Sequence, residues 1–166
     1  MKYICENCGN EHESWPALTF NAPLYYDILS SDEKETIAII ESDFCTIENE
    51  DHTDRFIRVT LVQTITDHCE DLAYDLWVSL SEKSFNNYVE THKNKTPEPG
   101  YFGFLSNQVP GYPDTLNIHM DVYPQSGHQR PIIEPHQNFD HPFVRDYYNG
   151  ISKEEAERRI KAMMGE

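Results

Sequence analysis

Cys5 and Cys8 stand two residues apart, Gly9 follows directly, and His12 comes after three more positions. Two thiolates at this spacing can point into one tight turn, and an imidazole beside them makes a donor set that suits a borderline-soft ion such as zinc. Gly9 gives such a turn the backbone freedom it needs. Tetrahedral zinc takes a fourth donor, and Cys45, Cys69, His136 and His141 are the candidates. Cys45 is favoured, because Asp43 to Glu48 alternates as a strand does and a rigid element is a good platform for a ligand. Cys69 lies in the acidic run DHCED and reads as an exposed, mobile turn thiol without a role. The expected site is therefore a structural zinc ion on Cys5, Cys8, His12 and Cys45, closed to water. The competing readings of Cys5 and Cys8 are an unliganded thiol pair and a redox dithiol. The second is weakened because no strand–helix junction of the thioredoxin kind follows.

His119 and Asp121 are two apart and share a strand face with Asn117 and Tyr123, an arrangement that fits acid–base chemistry, a metal, or the polar side of a half-buried strand. Asp140-His141-Pro142 offers a carboxylate that can orient an imidazole. The alternative function is thus a metal-dependent or acid–base hydrolase using His119 and Asp121, with His141 beside the aromatics Tyr101, Phe102, Phe104 and Tyr112. Those aromatics fit a ligand groove, an interface anchor or a core. No Walker loop, G-x-S-x-G elbow, G-x-G-x-x-G fingerprint or H-E-x-x-H occurs, so the catalytic residues are left unassigned and the balance is against an enzyme.

The elements that must position these groups follow from pattern. Ser30 with Glu33 has capping-box spacing and predicts a helix running through Ile37, Ile39 and Ile40. Arg55 to Ile65 and Leu72 to Leu80 are rich in β-branched and aromatic residues and read as a hairpin. Ser81 opens a helix with Phe85, Tyr88, Val89 and His92 on one stripe. Tyr101 to Leu105 and Arg130 to Glu134 read as short strands, and Thr115 to Tyr123 as the clearest strand, with Leu116, Ile118, Met120 and Val122 on one side. His92 to Gly100 is expected to be a mobile loop, and Ser152 with Glu155 to cap a C-terminal helix. Strands cluster with helices at their ends, which predicts an α+β fold with a mainly antiparallel sheet, flanking helices and an N-terminal zinc-knuckle-like turn. One domain is expected over 1–166, with residues 1–14 as the knuckle packed on the body.

Of 166 residues, 29 are acidic and 13 basic, a net charge of −16, and residues 1–83 carry 18 acids against 5 bases. Nucleic acid is a poor partner for such a chain, because affinity for phosphate depends on cations. Anionic membranes are disfavoured too. The acidity suits a basic protein partner, as in an inhibitor or immunity-type protein, although solubility alone explains it equally well. No apolar run reaches the length of a membrane span, no secretory h-region is present, and four cysteines are too few for a disulfide scaffold. A cytoplasmic protein with reduced or metal-bound thiols is expected.

The chain resembles a bacterial family of uncharacterised proteins, domain of unknown function 2199, over nearly its full length. The resemblance rests on Cys5-x-x-Cys8-Gly9-x-x-His12, SDFC from Ser42, WVSLSEKSF from Trp77, YFGFLSNQVPGYPDTLNI from Tyr101, RPIIE from Arg130 and DHPF from Asp140. The chain departs from that pattern at Asp75, where glycine is usual, and at Phe104, where tryptophan is. Membership implies no substrate or mechanism. It does imply the same four candidate ligands, Cys5, Cys8, His12 and Cys45.

Overall fold

A computed structural model describes residues 2–5, 8–92 and 100–165. The N-terminal residues form a separate antiparallel pair, β1 (Lys2–Ile4) with β2 (Glu11–Glu13), in which Tyr3 faces His12 along the backbone. Then come β3 (Leu18–Thr19), a single turn α1 (Leu24–Asp27), α2 (Ser31–Thr36), β4 (Ala38–Ile40), β5 (Phe44–Glu48), β6 (Thr53–Gln63) and β7 (Leu72–Ser79). The chain continues as α3 (Glu82–Thr91), β8 (Tyr101–Leu105), β9 (His119–Tyr123), β10 (Ile132–Pro135), α4 (Pro142–Asn149) and α5 (Lys153–Met163).

The expected hairpin is the spine. β6 and β7 pair antiparallel from Phe56–Ser79 to Gln63–Leu72. β8 adds to the end of β7, β9 to β8 and β10 to β9, all antiparallel, and β10 returns to lie parallel to β6 through Ile132 and Thr60. The Thr60 N–H donates to the Pro131 carbonyl at 2.9 Å, so the sheet closes on itself as a barrel. Closure follows from the side-chain period of two. Ile57, Val59 and Leu61 of β6, Leu72, Tyr74, Leu76 and Val78 of β7, and Leu105, Met120, Val122 and Ile133 from the other strands bury one face in a common interior. The fold is α+β and mainly antiparallel, as the patterning predicts.

Outside the barrel, β5 and β4 extend from the first half of β6, with β4 as the outermost strand. A second apolar cluster forms there from Cys45, Ile47, Phe56 and Trp77. At one end α4 and α5 bury Phe143, Val144 and Ala156. Arg159 of α5 is also buried, hydrogen-bonded to Tyr74, Tyr112, Asp146 and Glu155.

Three expectations change. The capping box of Ser30 and Glu33 does form, but α2 stops at Thr36 and the β-branched Ile39 and Ile40 pair with β5 instead. Only His119–Tyr123 of the Thr115 segment is strand. Asn117 takes a left-handed conformation (φ 68°), and Thr115 is buried, accepting from the Val109 N–H and donating to the Asn107 carbonyl. The sequence reading missed α4, which starts with Pro142 at its first turn, where a missing N–H costs nothing. Most of the expected mobile loop, 93–99, lies outside the described residues.

Candidate metal centre

Backbone hydrogen bonds draw Cys5 and the stretch Cys8 to Asn10 together in a tight turn. The Gly9 N–H donates to the Cys5 carbonyl and the Cys5 N–H to the Asn10 carbonyl, each at 2.8 Å, with Gly9 in the left-handed region at φ 73°. A side chain at that φ is strained, which is why glycine serves there. The turn leaves Cys5 buried and Cys8 exposed.

The third thiol comes from the β6–β7 connection. Cys69 Sγ lies 3.3 Å from Cys5 Sγ and 3.3 Å from Cys8 Sγ, and all three sulfurs fall within 4.8 Å of one another. Zinc–sulfur bonds of about 2.3 Å place tetrahedral sulfurs about 3.8 Å apart, so these thiols are close enough together for one small ion to hold all three. No disulfide joins the described cysteines.

Cys69 belongs here because its turn is docked rather than loose. Asp71 accepts from the Ile65 N–H at 3.1 Å, and the Thr66 N–H donates to the Ile151 carbonyl at 2.9 Å. Asp67 accepts from the Lys153 N–H at 2.6 Å, holding the turn against the start of α5. On the other side His68 stacks on Trp15, ring centroids 4.6 Å apart and planes 14° from parallel. Two of the acidic residues in this segment, Asp67 and Asp71, are therefore acceptors that anchor the turn. Desolvation, and after it hydrogen bonds with Cys5 and Cys8, push the Cys69 thiol up to about 12, so an ion must displace its proton.

Cys45, the favoured fourth ligand, sits apart from this group. It is fully buried in β5 among Ile47, Phe56 and Trp77. Burial, with the charge of Asp27 behind it, pushes its thiol up to about 12. A protonated thiol packed among hydrocarbon is a core residue. His12 has its backbone in β2, opposite Tyr3; its side chain lies outside what the structure describes.

The other candidates are placed individually. His119 is on the outer face of β9, ringed by Phe102, Phe104 and Phe139 at centroid distances of 5.3, 5.3 and 5.0 Å. Asp121 pairs with His136 at 2.8 Å, at a position where its carboxylate is 47% exposed. Asp140 does not orient His141, since it pairs with Arg145. His141 is buried and caps α4, with Nδ1 accepting from the Phe143 N–H at 3.0 Å and Nε2 facing the Asp114 carbonyl at 2.8 Å. Those bonds fix the proton on Nε2 and give the residue a structural task. Of the aromatics, Phe102 and Phe104 face outward, while the Tyr112 hydroxyl donates to Asp146.

Among the described residues no helix is long and apolar enough to cross a membrane. A family model for an uncharacterized protein conserved in bacteria, DUF2199, matches residues 4–151, a span that includes Cys5, Cys8 and Cys69. No curated protein and no solved structure matches the chain.

Proposed function

Since the chain belongs to DUF2199, a bacterial family without an assigned activity, its own chemistry is the guide, and we propose that Cys5, Cys8 and Cys69 hold a structural zinc ion in a cytoplasmic binding or regulatory module. The observation that carries this reading is the meeting of three sulfurs from segments more than sixty positions apart. Zinc suits three thiolates, and His12 has the spacing to supply the fourth donor. The ion ties the N-terminal knuckle to the β6–β7 turn and, through it, to α5. An ion with all four positions filled by protein stabilises the fold and has no position open for an attacking water. The strongly acidic surface is the binding feature, and its partner is a basic protein that the module caps.

Elemental analysis tests the metal. Protein purified without chelator should carry close to one equivalent of zinc, and the Cys69→Ser variant should carry much less. Under half an equivalent in the unaltered protein would end this reading.

A further inference from the structure

We propose that the outer edge of β4 is a docking site for an extended, basic segment of a partner protein, which adds to the sheet as a further strand. This rests on the reading of the acidic surface as a partner surface and is independent of the metal.

The backbone pattern leaves this edge open. The Glu48 N–H donates to the Ile37 carbonyl and the Glu41 N–H to the Phe44 carbonyl, both at 2.8 Å, and Ile39 stands opposite Thr46. Antiparallel ladders alternate, so residues 37, 39 and 41 spend their polar groups on β5, while Ala38 and Ile40 point theirs away from the sheet. β4 ends the strand order, and among the described residues nothing pairs with that side. Proteins commonly blunt such edges with lysine, proline or a bulge, but here the edge is Ala-Ile-Ile, with Ile39 67% exposed.

Beside the edge is a place for a side chain. A mainly apolar cavity of about 180 Å³ lies between β4, β5 and α3, lined by Ile39, Glu41, Phe44, Thr46, Phe85 and Val89. A strand laid along β4 sets alternate side chains on this face of the sheet, next to Ile39 and the half-exposed Val89.

Charge selects the occupant. Residues 27–54, which build α2, β4 and β5, hold ten acidic residues and one lysine. That net −9 is more than half of the −16 of the whole chain. Pairing β4 with β4 of a second copy brings two such segments together, which like-charge repulsion opposes. A strand carrying lysine or arginine between apolar residues satisfies the free backbone groups, the cavity and the field together.

The test uses the full chain and capped heptapeptides alternating lysine and valine, or glutamate and valine, with a backbone N-methylated form of the first. The lysine peptide should bind in fluorescence anisotropy and slow hydrogen exchange at the Ala38 and Ile40 amides at least tenfold. The glutamate peptide should not bind at the same concentration, and N-methylation should weaken binding at least tenfold. Ile39→Asn and, independently, Glu41→Lys should each weaken it several-fold with little change in melting temperature. Equal binding after N-methylation, or protection elsewhere than β4, would overturn the proposal. So would a dimer whose Ala38 and Ile40 amides are protected without peptide, because the occupant is then a second copy. Failure of the lysine peptide to bind unaltered, zinc-containing protein counts against this edge alone, whereas unaltered protein that is purified free of zinc and still binds counts against the metal alone. A basic partner whose binding Ile39→Asn leaves unchanged would overturn the site and spare the partner.

Discussion

Trp15 stacks on His68 with 4.6 Å between ring centroids, so the indole rests on the residue next to the thiol that joins the N-terminal knuckle to the barrel. The stack depends on both segments being held together. The chain has two tryptophans, and the other, Trp77, is fully buried in the second cluster, with its indole N–H donating to the Phe20 carbonyl at 2.9 Å. Removing zinc should therefore shift tryptophan emission to longer wavelength through Trp15 alone. Emission spectra with and without chelator check this, and Trp15→Phe should abolish the shift while leaving the Trp77 emission.

Cys69→Ser and Cys45→Ser should both cost stability but differ in zinc content. Cys69→Ser removes one of the three clustered thiols and should weaken zinc retention at least tenfold, with a lower melting temperature, because metal binding energy is folding energy. Cys45→Ser should keep the zinc content and lose about 1 to 3 kcal/mol of stability, since a hydroxyl replaces a thiol in an apolar cluster. Zinc content by elemental analysis and urea unfolding separate the two effects.

β-branched and aromatic composition makes β6 and β7 legible, alternation does the same for β9, and the caps at Ser30, Ser81 and Ser152 mark the helix starts. What one chain could not show was which loops meet. Cys69, which the structure brings to Cys5 and Cys8, reads as exposed because the run DHCED has the composition of a solvated turn. The functions of Asp67 and Asp71 as acceptors for Lys153 and Ile65 depend on partners up to 86 positions away. A place on a strand recommends Cys45 as a ligand, but the face it occupies points into the second cluster. His141 reads in sequence as a loop imidazole beside a carboxylate, and its identity as a helix cap depends on α4, whose start at Pro142 can equally be read as a turn.

Arg159 is 7% exposed, and its guanidinium meets Tyr74, Tyr112 and the carboxylates of Asp146 and Glu155. Desolvation opposes the charge, but these partners outweigh it and hold the group firmly protonated. Arg159→Ala removes the cation and leaves Tyr74 and Asp146 without it, so the expected loss is about 3 kcal/mol. The α5 segment lies beyond the family match at residue 151, so this variant also measures how far the barrel depends on it. Thermal unfolding should show the loss without a change in zinc content at temperatures where the protein is folded.

Zinc affinity should rise with pH. Desolvation and the neighbouring thiols hold the Cys69 proton up to about 12 in the metal-free site, so at neutral pH the ion must expel it. Raising pH lowers the cost of that displacement, and acid reverses it as protons compete for sulfur. Each thiol proton released contributes about tenfold in apparent affinity per pH unit. Competition against a chelator of known affinity at pH 6, 7 and 8 should show steep tightening and measurable proton release on binding. A flat profile would mean that thiols are not what binds the metal.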